Sequence, residues 1–377
     1  MVLFLHNRYR VAGGEERVVE DLARLVRDEM GEPVRTLERD SAALGPARAA
    51  AGLLRGGLDP AEVARAVRES GARVVHAHNL QPSLGWRALA AARAAGARVV
   101  LHLHQYRLVC AVGVCFTDGQ ECTRCHGRNT MPGILRNCRA GLPEAMLYGA
   151  SLALWQRRMV EAADAVVIPS AFAGARLRAL GAPLPWERVS VLAPPIRPAG
   201  APSAESGTPY ALVVSRLAPE KGVDVAIDAC RLAGMALVVA GEGPELDALR
   251  EHAGDGDVRF VGRASDAELA GLRAGAAIAL APSRSAETFG IAVAEAMAAG
   301  LPVAASNVGA LPELVEEDWL VPAGDARAMA QAITRLAGDR HAGERGARRV
   351  QALCSPQVVA GALARIYDGP EPAAPTP

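Results

Sequence analysis

The stretch LAPSRSAETFGIAVAEAMAAGLPVAASNVGALPE, residues 280–313, decides how this chain is read. It grows out of Ala276–Ala281, a small apolar run without charge that ends at Pro282-Ser283 and therefore reads as a buried strand. A polar loop follows. Thr288 is placed to cap a helix beginning near Phe289-Gly290, whose first backbone N–H groups have no partner inside the helix. The helix runs through Glu295 to Ala299, where Gly300 and then Pro302 stop it, and Val303–Ser306 is the next short strand. Strand, loop, helix, stop, strand is a βαβ unit. Its first loop suits an anion, because free N–H groups and the helix dipole both favour negative charge.

Two carboxylates frame that helix. Glu287 lies in the loop before it and Glu295 about a turn and a half inside it, so they face different parts of one bound molecule. On these residues alone, an ordinary βαβ crossover is the alternative. The Glu–seven residues–Glu spacing, with Phe289-Gly290 between and Gly-Leu-Pro-Val after, resembles the retaining glycosyltransferases of family GT4. That resemblance implies the α/β fold called GT-B: two Rossmann-like domains facing across a cleft, with a C-terminal helix crossing back to the first domain.

Composition agrees with two domains. The chain has 377 residues, 50% of them hydrophobic, enough for two α/β domains of ordinary size. Lys+Arg and Asp+Glu balance at 41 each, which argues against a nucleic-acid partner and against strong whole-molecule attraction to a membrane. The opening MVLFLHNRYR turns polar too soon for a signal peptide, and no apolar run approaches the roughly 18 residues of a spanning helix. The expected location is the cytoplasm.

From the start, Val2–Leu5 reads as the first strand, and GEERVVEDLARLVRDEM as a helix with Val18, Leu22, Leu25 and Val26 on one side. Gly13-Gly14 between them permits close backbone approach to a ligand, although a tight turn alone would also use such a pair. In the family this loop meets donor phosphates and acceptor, and Glu16-Arg17 match its continuation. Residues 41 to 70 read as connecting helices. The strands Ala72–Ala77 and Ala97–Leu103 end in His78 and His104, at the C-terminal mouth of a parallel sheet. Alternation puts His102 and His104 on the same side. By resemblance His104 is the active-site histidine that contacts the donor sugar, with His78 and His102 as second choices.

Between residues 110 and 138 the chain changes character, with five of its seven cysteines. In a reducing compartment such clustering points to metal more than to disulfides. Cys110, Cys122, Cys125 and Cys138 form the simplest tetrahedral structural zinc set, with His126 and Cys115 in reserve; reduced thiols packing a loop are the plainer reading. The next helix, Leu142–Val160, offers an apolar surface for a partner, the protein's own core, or peripheral membrane contact. The strands Ala165–Ile168 and Val189–Leu192 complete a first domain of residues 1–195, insert included.

Residues 196–209 are dense in Pro, Ala, Gly and Ser and read as a linker. The second domain, 210–354, opens with the strand Tyr210–Val214. Arg216 and Lys221 then flank a turn beside a helix start, a setting for a diphosphate with Arg gripping two oxygens and Lys acting as a point charge. Surface ion pairs are the alternative for these two. Gly241-Glu242-Gly243 after the strand Ala236–Ala240 is weak as a dinucleotide signal, but in the family's order it lines the donor cleft, and Arg263 stands where the backbone holds the nucleobase. Asp255-Gly256-Asp257 precedes its strand and reads as a solvated turn, so no magnesium requirement follows. A helix in 355–369 is expected to return to the first domain, and residues 370–377 to be a disordered tail.

The resemblance implies transfer of a sugar from a nucleotide-diphosphate donor, a UDP- or GDP-sugar, with retention. The acceptor is a glycan, glycolipid or small molecule, and catalysis requires no cofactor. Departure of the nucleoside diphosphate would be stabilised by Arg216, Lys221 and the N–H groups near Phe289, Gly290 and Ile291. Glu287 would hold sugar hydroxyls and Glu295 the ribose. No carboxylate pair suggests double displacement, which needs a separation of about 5 Å. A nucleotide-sugar epimerase or hydrolase of the same fold and a non-catalytic nucleotide-sugar-binding subunit are the alternatives.

Overall fold

The computed structural model describes residues 1–10, 13–139, 141–197 and 209–369. Most of the expected linker and the whole expected tail fall outside them. The chain forms two compact units: one of residues 1–115, 122–195 and 356 onward, the other of 116–121 and 196–355.

The first unit is built on six parallel strands: β1 (Val2–Arg8), β2 (Val34–Asp40), β3 (Val74–Ala77), β4 (Arg98–His102), β7 (Ala165–Ile168) and β8 (Val189–Val191), in the order β2-β1-β3-β4-β7-β8. A parallel sheet covered on both faces needs continuous apolar strands, and VLFL of β1 and VV of β3 are buried completely. β2 is the exception. It lies at the edge, pairs with β1 over seven residues, and its VRTLERD sequence alternates half-buried and exposed positions. No strand is expected there from sequence, because charge on an edge strand hides the apolar signal while guarding against edge pairing. The helix Gly14–Asp28 buries Val18, Leu22, Leu25 and Val26 as its spacing requires. Each such side chain contributes about 1.5–3 kcal/mol of burial.

The insert contains a hairpin of β5 (Phe116–Thr117) and β6 (Gln120–Glu121). Among the described residues these strands pair with each other alone, and the hairpin groups with the second unit, although its place in the sequence puts it in the expected first domain. The last helix, Pro356–Asp368, belongs to the first unit. There Tyr367 is buried and Arg98 donates to the Ile366 carbonyl at 3.1 Å.

The second unit holds β9 (Tyr210–Val214), β10 (Ala236–Ala240), β11 (Val258–Gly262), β12 (Ala276–Ala281), β13 (Val303–Ser306) and β14 (Leu320–Val321). Their order is β11-β10-β9-β12-β13-β14, all parallel, so the direction of winding reverses between β9 and β12. Ligands of open α/β sheets bind beyond the strand ends at such a reversal. The turn Asp255–Asp257 is exposed and precedes β11.

The helix after β12 starts later than expected, at Ile291–Ala298. Its cap is Gly290, not Thr288, and no side chain caps it. Gly290 sits at φ +100°, and a Cβ there would lie 2.6 Å from Leu311 Cδ2. The left-handed turn and the close neighbour leave the position to glycine.

Candidate active site

In the second unit the loops leaving β9 and β12 meet at the sheet's reversal point. Lys221 Nζ donates to Glu287 Oε1 at 2.7 Å, and the Ser283 hydroxyl donates to the same oxygen at 2.6 Å. Burial works to raise the Glu287 pKa. The charge of Lys221, the two hydrogen bonds and the charge of Arg216 outweigh it, so the carboxyl is held below its usual range. The Glu287 backbone is fixed as well: its carbonyl accepts from Ala310 N at 2.9 Å. Gly309 lies so close that a Cβ would come 2.3 Å from Glu287 N.

Arg216 pairs with Glu220, whose carbonyl accepts from Arg284 N at 2.8 Å. Glu295, on the helix that Gly290 caps, forms an ion pair with buried Arg273. Arg273 belongs to no motif legible in the sequence. It sits on the helix Asp266–Gly275, remote from every motif, and only the fold brings it to Glu295. Gly241 N donates to Gly262 O at 2.8 Å, which places Gly241 beside exposed Arg263. Phe289 is buried, and Ile291 opens the helix, where the first N–H groups lack intrahelical partners. The structure thus joins Lys221 to Glu287 directly and holds Glu295 through a residue of a different element.

In the first unit Gly13 caps the helix that begins at Gly14. Glu16 closes the preceding loop, accepting from Gly13 N at 2.8 Å and from Tyr9 N at 3.0 Å. Burial opposes its charge, but nearby His6, with Nε2 3.8 Å away, and the hydrogen bonds from Gly13 and Tyr9 pull its pKa down to about 2. Residues 11–12 lie outside the described chain.

The histidines gather after β3 and β4. His78 Nδ1 lies 2.8 Å from His104 Nε2, and the His102 and His104 rings stack with centroids 4.2 Å apart. His76 continues the network, with Nε2 3.2 Å from His102 Nδ1 and Nδ1 2.8 Å from the Tyr367 hydroxyl. Burial depresses the pKa of His76 to about 3 and those of His78 and His102 well below normal, and it lowers His104 too. The cluster is therefore neutral at pH 7. Tyr9, Glu15, Gln105 and Arg107 line a concavity with His104, and Tyr9 donates to Glu15 Oε2 at 2.7 Å. None of these four is among the expected site residues. Polar residues in the loops after β1 and β4 were the available signal.

The cysteine quartet is less close than expected. Cys110 is drawn to Cys115, whose hydrogen bond is the main reason its pKa falls to about 6; burial opposes the fall, and the N–H groups of Gly113, Cys115 and Val112 assist it. Burial pushes the Cys125 thiol up to about 11. Four sulfurs around zinc would stand about 3.8 Å apart. Among the described residues, the ligand set within 4.8 Å is His76, His78 and His102, not Cys110, Cys122, Cys125 and Cys138. The imidazoles of that set are largely committed to one another and to Tyr367.

Against this geometry, the sequence profile described as "Glycosyl transferase 4-like domain" matches residues 9–195, and that described as "Glycosyl transferases group 1" matches 208–339. The chain belongs to the group 1 glycosyltransferases. It is 37% identical over 166 residues to a phosphatidyl-myo-inositol mannosyltransferase of Mycobacterium leprae, covering 40% of this chain and 43% of that protein. It is likewise 37% identical over 186 residues to a glycogen synthase of Mycobacterium tuberculosis, covering 45% of each. The matches thus span less than half the length of these curated relatives. Among solved structures, sucrose-phosphate synthase of Thermosynechococcus elongatus superposes with a TM-score of 0.68 at 20% identity, over 97% of this chain and 98% of that one. The Anabaena protein HepE, solved with UDP and glucose, gives 0.65 at 19% identity over 98% and 99%. With two parallel-sheet units in this glycosyltransferase, these neighbours establish the GT-B fold.

Proposed function

We propose that this glycosyltransferase moves a sugar from a nucleotide-diphosphate donor, a UDP- or GDP-sugar, to a glycan, glycolipid or small-molecule acceptor, with retention at the anomeric carbon. The observation that carries the reading is the Lys221–Glu287 pair at the reversal point of the second sheet. An ionised Glu287 accepts hydrogen bonds from sugar hydroxyls, and its Lys221 partner supplies positive charge where the leaving diphosphate gathers negative charge. Arg216 and the N–H groups at Gly290-Ile291 add to that field, while Gly241 and Arg263 border the nucleoside. Glu295, oriented by Arg273, is the acceptor for ribose hydroxyls. In the first unit Gly13-Gly14 leave room for backbone approach, and His104 is assigned to the donor sugar. The leaving phosphate oxygen takes the acceptor proton on the face it vacates, so no second carboxylate is needed.

Two finer assignments accompany this one. A structural zinc at Cys110, Cys122, Cys125 and Cys138 is supported by the density of thiols in the insert. It requires these sulfurs to draw together. Work at the inner face of a membrane is supported by the exposed apolar residues of the helix Leu142–Glu161, and no described helix is long and apolar enough to cross one.

The test is thermal unfolding against UDP-, GDP-, ADP- and dTDP-sugars, followed by product analysis with and without acceptor. A ligand that binds the native state alone raises the melting temperature. One nucleotide sugar should do so and should yield a retained glycoside. Donor turnover without an acceptor would favour an epimerase or hydrolase. Binding without turnover under any condition would favour a non-catalytic subunit.

A further inference from the structure

The second half of the insert and the start of the following helix carry an apolar surface edged with arginine. The short helix Met131–Leu135 is seated by Ile134, whose Cγ1 would lie 2.8 Å from a Cβ on Gly149, and by the Thr130 hydroxyl, which donates to Gly149 O at 2.8 Å. That contact turns Met131 and Leu135, one helical turn apart, outward; they are 53% and 79% exposed. On the helix Leu142–Glu161, Ala145, Tyr148, Gly149 and Leu152 point inward. Leu142 and Met146, again one turn apart, are 54% and 52% exposed. Four large apolar side chains on two packed helices are more than the scattered exposure an ordinary surface shows.

Charge identifies what covers them. Between residues 122 and 146 stand Arg124, Arg128, Arg136 and Arg139 against the single acid Glu144, in a chain whose charges balance only as a whole, so that the remainder is net acidic. Glu144 is itself neutralised by Arg139 at 2.6 Å. A second copy docked face to face would set these arginines against their own equivalents. Apolar side chains projecting from a cationic rim match a bilayer with anionic headgroups, where the chains enter the acyl boundary and the arginines stay at the phosphates.

We propose that the surface formed by Met131, Leu135, Leu142 and Met146 docks on membranes containing anionic lipid. The proposal rests on the membrane contact suggested above and names the partner's chemistry. The experiment is co-sedimentation of the full chain with vesicles of phosphatidylcholine alone or mixed with phosphatidylglycerol, at low and raised salt. Binding is expected on the mixed vesicles, to weaken with salt, and to be slight on phosphatidylcholine. Leu135→Glu and Met146→Glu should each cut it about tenfold. Arg136→Glu, next to Leu135, should cut it about fivefold or more. Absence of binding, equal binding to both vesicles, or full binding by the double glutamate variant would overturn the proposal. So would a dimer in solution that Leu135→Glu dissociates. Retained thermal stabilisation by a nucleotide sugar in these variants keeps the test separate from the donor-site reading.

Discussion

His78 hands its hydrogen bond to His104 through Nδ1, while its own Nε2 is buried with no partner. A proton on that orphaned nitrogen would be a buried, unsatisfied donor, costing about 1–3 kcal/mol. The proton therefore sits on His78 Nδ1, and His104 Nε2 accepts it. Neutral His104 then carries its only proton on Nδ1, and under the proposed assignment that N–H is the one offered to the donor sugar. His78→Leu should lower kcat by about tenfold, the worth of one net hydrogen bond, with little change in KM for the donor. His78→Asn, whose amide nitrogen can stand near the old Nδ1, should restore much of the rate. Equal loss in both variants would show that His78 merely fills space.

Lys221→Ala and Glu287→Gln should each reduce turnover by orders of magnitude, because on the proposed assignment the pair acts on charge that develops only as the bond breaks. Lys221→Ala also leaves the Glu287 carboxylate without its cation, so its pKa should rise towards or above the usual carboxylate value. Proton titration by NMR reads that shift, and near-normal rates in both variants would remove the site assignment.

The buried histidines set an acid limit on stability. Their folded pKa values lie below the unfolded value of about 6.5, to about 3 for His76. Between those limits the unfolded chain binds more protons than the folded one. Stability should therefore rise with pH up to about 6.5 and fall as pH drops towards 3, by up to about 1.4 kcal/mol per pH unit for each histidine. Denaturant midpoints across this range supply the check. His102→Phe should flatten the slope.

Gly290→Ala should be costly for so small a change. The left-handed conformation costs about 1–2 kcal/mol, and the added methyl meets Leu311. A lower melting temperature together with weaker donor binding is the expected result, read by calorimetry.

For the insert, stoichiometric zinc should appear in metal analysis of the purified protein, and Cys122→Ser with Cys125→Ser should release it and loosen the insert. A metal-free preparation whose fold tolerates both substitutions would leave the thiols as packing groups.

Much of this fold could be read from residue order. The strands Tyr210–Val214, Ala236–Ala240, Ala276–Ala281 and Val303–Ser306 are short apolar runs closed by Gly, Pro or Ser, and they form as expected. β2 was illegible because an edge strand need not be apolar. Thr288 looked like a cap, since cap propensity is local, whereas Gly290 was selected by backbone conformation and by Leu311 from a later element. Glu287 and Lys221 carried recognisable spacing. Arg273, Tyr9 and Glu15 did not, because their importance lies in contacts between distant segments. The cysteines left the geometry open: spacing reports which thiols are near in sequence, and Cys110 lies against Cys115.

Tyr367, at the end of the last helix, reaches back to His76 on β3. The first unit is thus sewn shut by residues made after nearly the whole second unit. During synthesis the second unit's run from 196 to 355 is available to fold while the first still waits for its final helix. Until Tyr367 arrives, the His76 end of the imidazole network has no hydroxyl to meet. A chain arrested near residue 355 would hold the sequence of the histidine site without its buried anchor, so that site is complete only once synthesis has passed residue 367.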